Sequence, residues 1–555
     1  MTVPRILDKN GDPIASRALQ QVKGARSRQT MGGFRGASYT DPDLAAWTPP
    51  SYSAYSAYSS DRVPLGARIH DLARNDGWIA SGLTKKVDAI IGSQWRLNAR
   101  PNWKALGITR DQAETLADQI EAEWRSFAED HEFYIDAGRK MNFSGLLALA
   151  YRHRMLDGEA LAIMDWRAAP GCPYSTCVQV IDPERLSNSY LGQDTDDIRD
   201  GVKLGPRGEP IGYFIRDVHP GDFYVGTTTD TSRWTYYPRS LPYGRRVIVH
   251  AFLSERAGQV RGTSMMASLI KKIKNLSRYD EAELQAALIN AVMAAVIESP
   301  FDHEQLKEAL DGGEGIEELS KYQEARLNFY EDTPIQLGGA KTIFTFPGEK
   351  LQFTKPEHPN AVFENYIRSG LRNVASVLGL TYEQLSGDWS QSNYSSARGA
   401  LIEAWRGFYT ERDSFALQAA QPVYTCWLEE AIDKGRIKLP AGAPDFYAGR
   451  AAWCQASWTG PGRGWVDPFK EAQASGLRLA LGLSTYEKEC AEQGEDYREN
   501  IAQIARENEQ MEALGLDPTE FRRAGLRNSG TAPAPEDPKT VGEPQAAPAK
   551  GGGGP

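Results

Sequence analysis

The chain has 555 residues, of which 41% are hydrophobic and 25% charged, with 63 Lys and Arg against 73 Asp and Glu and a formal net charge of −10. Such a length points to roughly two to four domains with a sizeable core. The acidic balance disfavours a protein that grips DNA phosphates, which needs a basic face, and does not exclude one that DNA slides past. The five cysteines are Cys172, Cys177, Cys426, Cys454 and Cys490. They form no CxxC pair, so a zinc site of the usual spacing is disfavoured. Cys172 and Cys177 lie close enough to pair, but reduced thiols are the expected state.

Residues 1–60 read as an irregular arm, with the small repeat SYSAYSAYSS at Ser51–Ser60. No apolar h-region opens the chain, so no signal peptide is expected. From Asp61 to Ala150 the pattern is mostly helical. Ile69, Leu72 and Ala73 share one face; Ile79, Leu83, Val87 and Ile90 share another; Leu116, Ile120 and Trp124 a third. Between Leu161 and Leu253 the period shifts toward two, which gives candidate strands at Ala160–Trp166, Cys177–Asp182, Ile211–Asp217 and Arg246–Leu253. A run free of Gly and Pro, Ser264–Ser299, reads as one long helix. Its first half is basic at Lys271, Lys272, Lys274 and Arg278, and its second opens acidic at Asp280, Glu281 and Glu283. The stretch Leu284–Ile297 is too short and too interrupted to span a membrane and reads as a buried helix.

Residues 300–358 are broken by Gly and Pro and are expected to hold a short helix near His303–Leu310, with strands near Thr342–Phe346 and Lys350–Thr354. Phe363, Ile367, Leu371, Val374 and Leu378 recur on one helix face, closed by Gly379. A polar stretch, Leu380–Ser396, follows. A second periodic run of roughly 40 residues, about 60 Å if helical, carries Trp405, Phe408, Phe415 and Trp427, with a kink predicted at Pro422. Helices are expected again near Pro468–Leu481, Ser484–Gln493 and Asp496–Leu514. The Pro- and Gly-rich end reads as disordered.

Chemical signals are weak. GGAKT at Gly338–Thr342 fails as a phosphate loop, because Ala340 and not glycine precedes Lys341. The seven histidines show no metal spacing with one another, and His250 reads as a satisfied core histidine. Asp165 with Asp182 and Asp157 with Glu159 are imaginable carboxylate pairs, but surface and turn roles are expected for each. The lysines at 271, 272 and 274 read as a solvated helix face, or as half of an ion pair with a neighbouring copy's Asp280–Glu283. In the polar stretch, Tyr382, Trp389 and Tyr394 sit beside Gln384, Gln391, Ser392 and Asn393. Phosphate contact by a mobile loop and packing of the aromatics at an interface stay equally open.

Several motifs carry a resemblance. They are RIHDLARND at Arg68–Asp76, IIGS at Ile90–Ser93, AGQVRGTSMM at Ala257–Met266, QLGGAK at Gln336–Lys341, PGEKLQF at Pro347–Phe353, LRNVASVLGLTYEQLS at Leu371–Ser386, SNYSSAR at Ser392–Arg398, SWTGPGRGWVDPFKEAQ at Ser457–Gln473 and GLSTYEKECAEQGEDY at Gly482–Tyr497. In this order they resemble the lambda family of tailed-phage portal proteins over about residues 65–500. The match departs at both ends and at Asp76, where the family pattern has a second Asn after Asn75.

The resemblance implies an α+β, predominantly helical portal fold of wing, stem, clip and crown that assembles as a cyclic ring of twelve. Carried onto this chain, 1–60 is a flexible arm, 61–263 the wing, 264–299 the first stem helix, 300–358 the clip and 359–378 the second stem helix. The tunnel loop is 379–396, the long kinked helix and wing return 397–464, the crown 465–515 and the tail 516–555. Candidate channel contacts are Tyr382, Gln384, Trp389, Gln391, Ser392, Asn393 and Tyr394. Candidate stem and interface residues are Lys271, Lys272, Lys274, Arg278, Arg368 and Arg372, with Trp405, Phe408, Tyr409 and Trp427 as apolar contributors between subunits. The implied partners are further copies of the chain, a terminase motor, the major capsid protein, head-completion and tail connector proteins, and passing double-stranded DNA. No cofactor, membrane or enzymatic activity is implied. The implied place is a unique vertex of the virion, reached after assembly in the host cytoplasm. A particle hydrolase and a shell or scaffold protein without a channel are the competing classes.

Overall fold

In a computed structural model, the described residues are 34–39, 41–189, 192–222, 233–292, 296–298, 315–332, 350–352, 363–464 and 467–520. They fall in two compact units, one of residues up to Arg62 with Ser254–Val260, the other of the remainder. In the first, Ser51–Ser60 folds into overlapping turns, with the Ser59 N–H donating to the Tyr55 carbonyl at 3.0 Å. The Arg256 guanidinium donates to the Tyr52 carbonyl at 3.2 Å.

In chain order the elements begin with α1 (Arg62–Asn75), α2 (Gly77–Ile90), β1 (Arg96–Ala99), α3 (Trp103–Leu106), α4 (Arg110–Ala128) and α5 (Phe143–Leu156). Then come β2 (Glu159–Trp166), β3 (Thr176–Ile181), β4 (Ile198–Arg199), β5 (Val202–Leu204), β6 (Pro210–Arg216), β7 (Trp234–Pro238) and β8 (Ile248–Phe252). The middle holds α6 (Ile270–Val292), β9 (Val296–Glu298), α7 (Gly315–Asp332), β10 (Lys350–Gln352), α8 (Phe363–Leu378), α9 (Tyr382–Ser386) and α10 (Tyr394–Phe415). After a π turn (Ala416–Ala420) come α11 (Gln421–Asp433), α12 (Phe446–Trp453), β11 (Ala456–Thr459), α13 (Pro468–Ala480), α14 (Tyr486–Glu492) and α15 (Tyr497–Ala513).

Most helix starts are written in the local sequence. Asp76, Asn142, Asn393, Asp445 and Asp496 each accept a backbone N–H of the first turn, and Thr109 with Gln112 and Thr381 with Gln384 make reciprocal capping boxes. The departure at Asp76 has a plain explanation here. Its carboxylate caps α2 at 3.0 Å from the Ile79 N–H, a role Asn fills equally well.

The described sheets are small and antiparallel: β3-β2-β8, β4-β5-β6-β7, β1-β11 and β9-β10. The core lies where α4, α5, α11 and β11 meet. The Trp124 ring centroid stands 4.9 Å from Phe143, 5.1 Å from Trp427 and 5.9 Å from Trp458. Edge-to-face pairs of this kind add to area burial. Buried Arg412 of α10 donates to the carbonyls of Ala89, Ile90 and Pro461 at 2.9–3.1 Å. It thereby satisfies the carbonyl end of α2, which intrahelical bonds leave open.

Several expectations change. The helix expected over 264–299 starts at Ile270 after a short 3-10 turn and ends at Val292, and β-branched Val296 and Ile297 pair with β10 instead. Leu284 and Leu288, expected to be buried, are 61% and 57% exposed. Phe408 and Trp427, expected between subunits, are fully buried within the chain, Phe408 beside Lys86 of α2 and Trp427 against Trp124 of α4. The long helix breaks where Pro422 demands it: the π turn precedes it, with the Gln421 N–H reaching back to the Ala416 carbonyl. Strands β1, β4, β5, β7 and β11, and helix α7, had no expectation.

The segments His303–Leu310, Thr342–Phe346 and Gly338–Thr342 lie outside the described residues, as do most of residues 300–358 and all of 521–555. At the start of the expected disordered tail, Asp517 accepts the Thr519 N–H at 2.7 Å. All five cysteines are unpaired.

Candidate functional site

One of the resemblance-bearing regions, Ala257–Met266, meets the α5–β2 turn through buried charge. The chain turns from α5 into β2 at Asp157-Gly158-Glu159, and the RGT segment, Arg261–Thr263, crosses it. A Cβ on Gly262 would stand 2.1 Å from the Gly158 carbonyl oxygen, and one on Gly158 would stand 2.3 Å from Thr263. Only two glycines permit this backbone crossing. It places Arg261 against Glu159, with side chains 2% and 1% exposed. Glu159 also accepts the Gly262 N–H at 2.9 Å and meets His250 Nε2 at 2.9 Å. Arg261 reaches three further carbonyls, those of Pro183, Leu186 and Asp200, at 2.8–3.0 Å. Burial alone would push the Glu159 carboxyl up; the Arg261 charge and the His250 hydrogen bond outweigh it and hold it well below the usual range. His250 is the satisfied core histidine the sequence indicated. Asp157 and Glu159, assigned surface and turn roles, are buried instead.

Beside this node lies a row of alternating imidazoles and carboxylates that sequence spacing did not reveal. Asp157 meets His70 of α1 at 2.7 Å and His153 of α5 at 2.9 Å. Glu184, in the turn after β3, lies 3.9 Å from His70 and 2.9 Å from His219. Asp182 caps that turn by accepting the Glu184 N–H at 2.9 Å. The hydrogen bond to Asp157 raises the His70 pKa against its partial burial. Burial would raise the Asp157 carboxyl, but its two histidine partners hold it below the ordinary range.

A second region holds the expected stem and loop residues. Helices α6 and α8 cross at Gly370, where a Cβ would lie 2.5 Å from Leu276. Tyr279 packs tilted against Phe363 and edge-to-face against Tyr366, with centroids 5.5 and 4.8 Å apart. Lys271, Lys272, Lys274 and Arg278 are exposed on α6. Arg368 pairs with Glu364 one turn away, and the Arg372 guanidinium sits 5.6 Å from the Tyr382 ring centre.

The expected loop 379–396 is shorter than the sequence suggested, because α9 occupies Tyr382–Ser386 and α10 begins at Tyr394. Gln384 is committed to the Thr381 capping box, Ser392 donates to Glu383 at 2.9 Å, and Asn393 caps α10 through the Ser396 N–H at 2.8 Å. Trp389 and Gln391 are exposed. The signals that reveal this are TYEQ, a capping box, and SNYSS, an N-cap before a helical run.

Helices α14 and α15, with the turn between them, sit on α4 and the β1 segment largely through ions. Arg96 faces Glu495 and Glu499 at 3.5 and 3.3 Å; Arg100 pairs with Glu487 and Arg125 with Glu499. Arg498 bridges Asp118 at 2.9 Å and Glu121 at 3.6 Å. Burial raises the Glu121 carboxyl to about 7 despite its bond from the Ala99 N–H.

A family model described as "Phage portal protein, lambda family" matches residues 40–412. The portal protein of Escherichia phage N15 is 35% identical over 499 residues, which cover 89% of this chain and 92% of that protein. Portal protein B of Escherichia phage lambda is 34% identical over 510 residues, covering 90% and 95%. A chain from the "Virion of native gene transfer agent (GTA) particle" covers 77% of this chain and 92% of its own at 15% identity and a TM-score of 0.43, a superposition too loose to argue from. The fold is α+β and predominantly helical, and the named relatives are structural parts of phages. The chain belongs to the lambda family of phage portal proteins. No helix among the described residues is long and apolar enough to cross a membrane.

Proposed function

We propose that twelve copies of this chain close into a ring at one vertex of the phage head, with a bore through which double-stranded DNA enters and leaves. The observation that carries the reading, beside family membership, is the unpartnered apolar surface on two sets of helices. Leu284 and Leu288 on α6, and Leu477, Leu481 and Leu483 around α13 and α14, are all more than half exposed in the single chain. A cyclic ring docks one face of each subunit on a different face of the next, and obligate interfaces of this kind are large and apolar. A cleft of about 740 Å³ lined by Trp78, Ile273, Leu276, Phe363, Ile367 and Leu371 offers such a receiving face.

In this reading 61–263 is the wing, α6 and α8 are the stem, 300–358 the clip that docks a terminase motor and later connector proteins, and α13–α15 the crown. Trp389 and Gln391 are the loop residues left to meet DNA. Lys271, Lys272, Lys274 and Arg278 face the acidic stretch of a neighbouring α6. A ring of twelve would carry a formal charge of about −120, twelve times −10, which transmits a polyanion without holding it. Negative-stain images of purified full-length protein test the reading: open rings are expected, and compact monomers would end it.

A further inference from the structure

We propose that the histidine–carboxylate row beside the buried node is a binding site for one divalent first-row transition cation, held by His70, Asp157 and Glu184. The three ligand atoms, His70 Nε2, Asp157 Oδ1 and Glu184 Oε1, lie within 4.8 Å of one another. Cis ligands about 2.1 Å from an ion at near-right angles sit about 3.0 Å apart. The observed 2.7 Å from His70 to Asp157 and 3.9 Å from His70 to Glu184 bracket that spacing. One imidazole and two carboxylates form an N,O set that suits zinc or manganese better than soft-ligand metals.

What separates this row from an ordinary cluster of surface acids is its outer layer. Each ligand carboxylate turns one oxygen toward His70, and a different histidine holds its other oxygen. His153 Nδ1 lies 2.9 Å from Asp157 Oδ2, and His219 Nε2 lies 2.9 Å from Glu184 Oε2. Metal sites orient their ligands through such outer partners. His219 cannot itself be a ligand in this arrangement. Its Nδ1 accepts the Gly221 N–H at 3.0 Å, so Nε2 carries the proton and donates to Glu184.

Rigid elements set all three ligands. His70 stands on α1. Asp157 ends α5 against the Gly158–Gly262 backbone crossing. Glu184 sits in a proline-started turn capped by Asp182. Water reaches the site, since His70, Glu184 and His219 are each about a quarter to a third exposed. On binding, the cation replaces the proton shared by His70 and Asp157, which leaves to solvent. The ion would tie α1 to the α5–β2 corner and to the turn after β3, three segments otherwise far apart in the chain.

The test uses untagged full-length protein stripped with chelator and titrated calorimetrically with Zn²⁺, Mn²⁺ and Mg²⁺. Thermal unfolding is followed with and without each ion. One Zn²⁺ or Mn²⁺ per chain is expected, with a rise in Tm that Mg²⁺ does not match. Glu184→Gln and His70→Gln should lose the site, and His219→Ala should weaken it by at least about tenfold. His131→Gln, at an exposed histidine outside the row, should behave as the parent. Circular dichroism checks each variant, and Glu184→Gln, at a part-exposed residue, carries the test if His70→Gln does not fold. Absence of a stoichiometric ion, or equal affinity in Glu184→Gln and the parent, would overturn the proposal.

Discussion

The α5–β2 corner and the paired helices α6 and α8 handle their polar and apolar groups in opposite ways. At the corner the charges are closed within one chain: Arg261 and His250 both bond to buried Glu159, and two glycines let the backbones touch. Along α6 the leucines at 284 and 288 face water, although the neighbouring crossing at Gly370 is tightly packed. The contrast separates a part whose polar groups are satisfied within one chain from a part whose apolar groups are left uncovered by it. A region whose charges are neutralised internally can stand alone. A region that leaves leucines in water is completed by something else, and we take that to be the next subunit.

The largest effect expected is at the corner. Arg261→Met would remove the cation paired with the buried Glu159 carboxylate and leave three backbone carbonyls without their donor, a loss of about 3–5 kcal/mol. Thermal melts should show a collapse of Tm or insoluble protein, and a variant that melts like the parent would show the node to be dispensable. Next, Ile367→Pro should abolish rings while leaving a soluble subunit, because proline removes an α8 hydrogen bond and clashes one turn back. Normal rings in micrographs would count against α8 as a stem element. Leu284→Glu with Leu288→Glu sharpens the comparison, since both side chains are exposed in the subunit. Its Tm as a dispersed subunit should hardly move while sedimentation shows ring formation lost. Shortening Gly387–Ser392 should spare the rings and reduce DNA filling, and full-length packaging by that variant would remove the loop from the mechanism.

The smallest expected effect concerns Glu121. Its folded pKa of about 7 lies above its ordinary 4.5, so the folded state binds the extra proton between those values. Its charged form therefore costs stability above pH 7, and the cost fades as pH falls toward 4.5. Glu121→Gln should flatten this dependence by roughly 2 kcal/mol between pH 5 and pH 7.5. Melts at pH 5 and pH 7.5, compared between parent and variant, read it directly, and parallel curves would refute it.

Much of the helical framework was legible in the sequence because its signals are local. Capping residues at Asp76, Thr109, Asn142 and Asp496, the stripe from Phe363 to Leu378 and the break forced by Pro422 each lie within a few residues of their effect. The sheets were less legible. β1 pairs with β11 across about 360 residues, as Arg96 opposite Thr459 shows, and RLNA alone has no strand signature. The end of α6 was missed because apolar alternation at Val296–Glu298 cannot be told from a helix without its partner β10. The candidate site was hidden for the same reason. Glu159 and Arg261, or His70 and Asp157, meet only after folding, so their spacing in the chain carries no metal or ion-pair signature. The polar stretch misled in the other direction: its composition signalled a loop, but the TYEQ capping box had already written a helix into it.

In the proposed ring, surfaces left apolar in one chain close around an open bore. Electron microscopy of the purified full-length protein, with particles averaged without imposed symmetry, tests this most directly. Twelve-fold rings with an unobstructed centre, their contacts running along α6, α8 and α13–α14, are the expected result. A population of monomers, or rings with a closed centre, would contradict it.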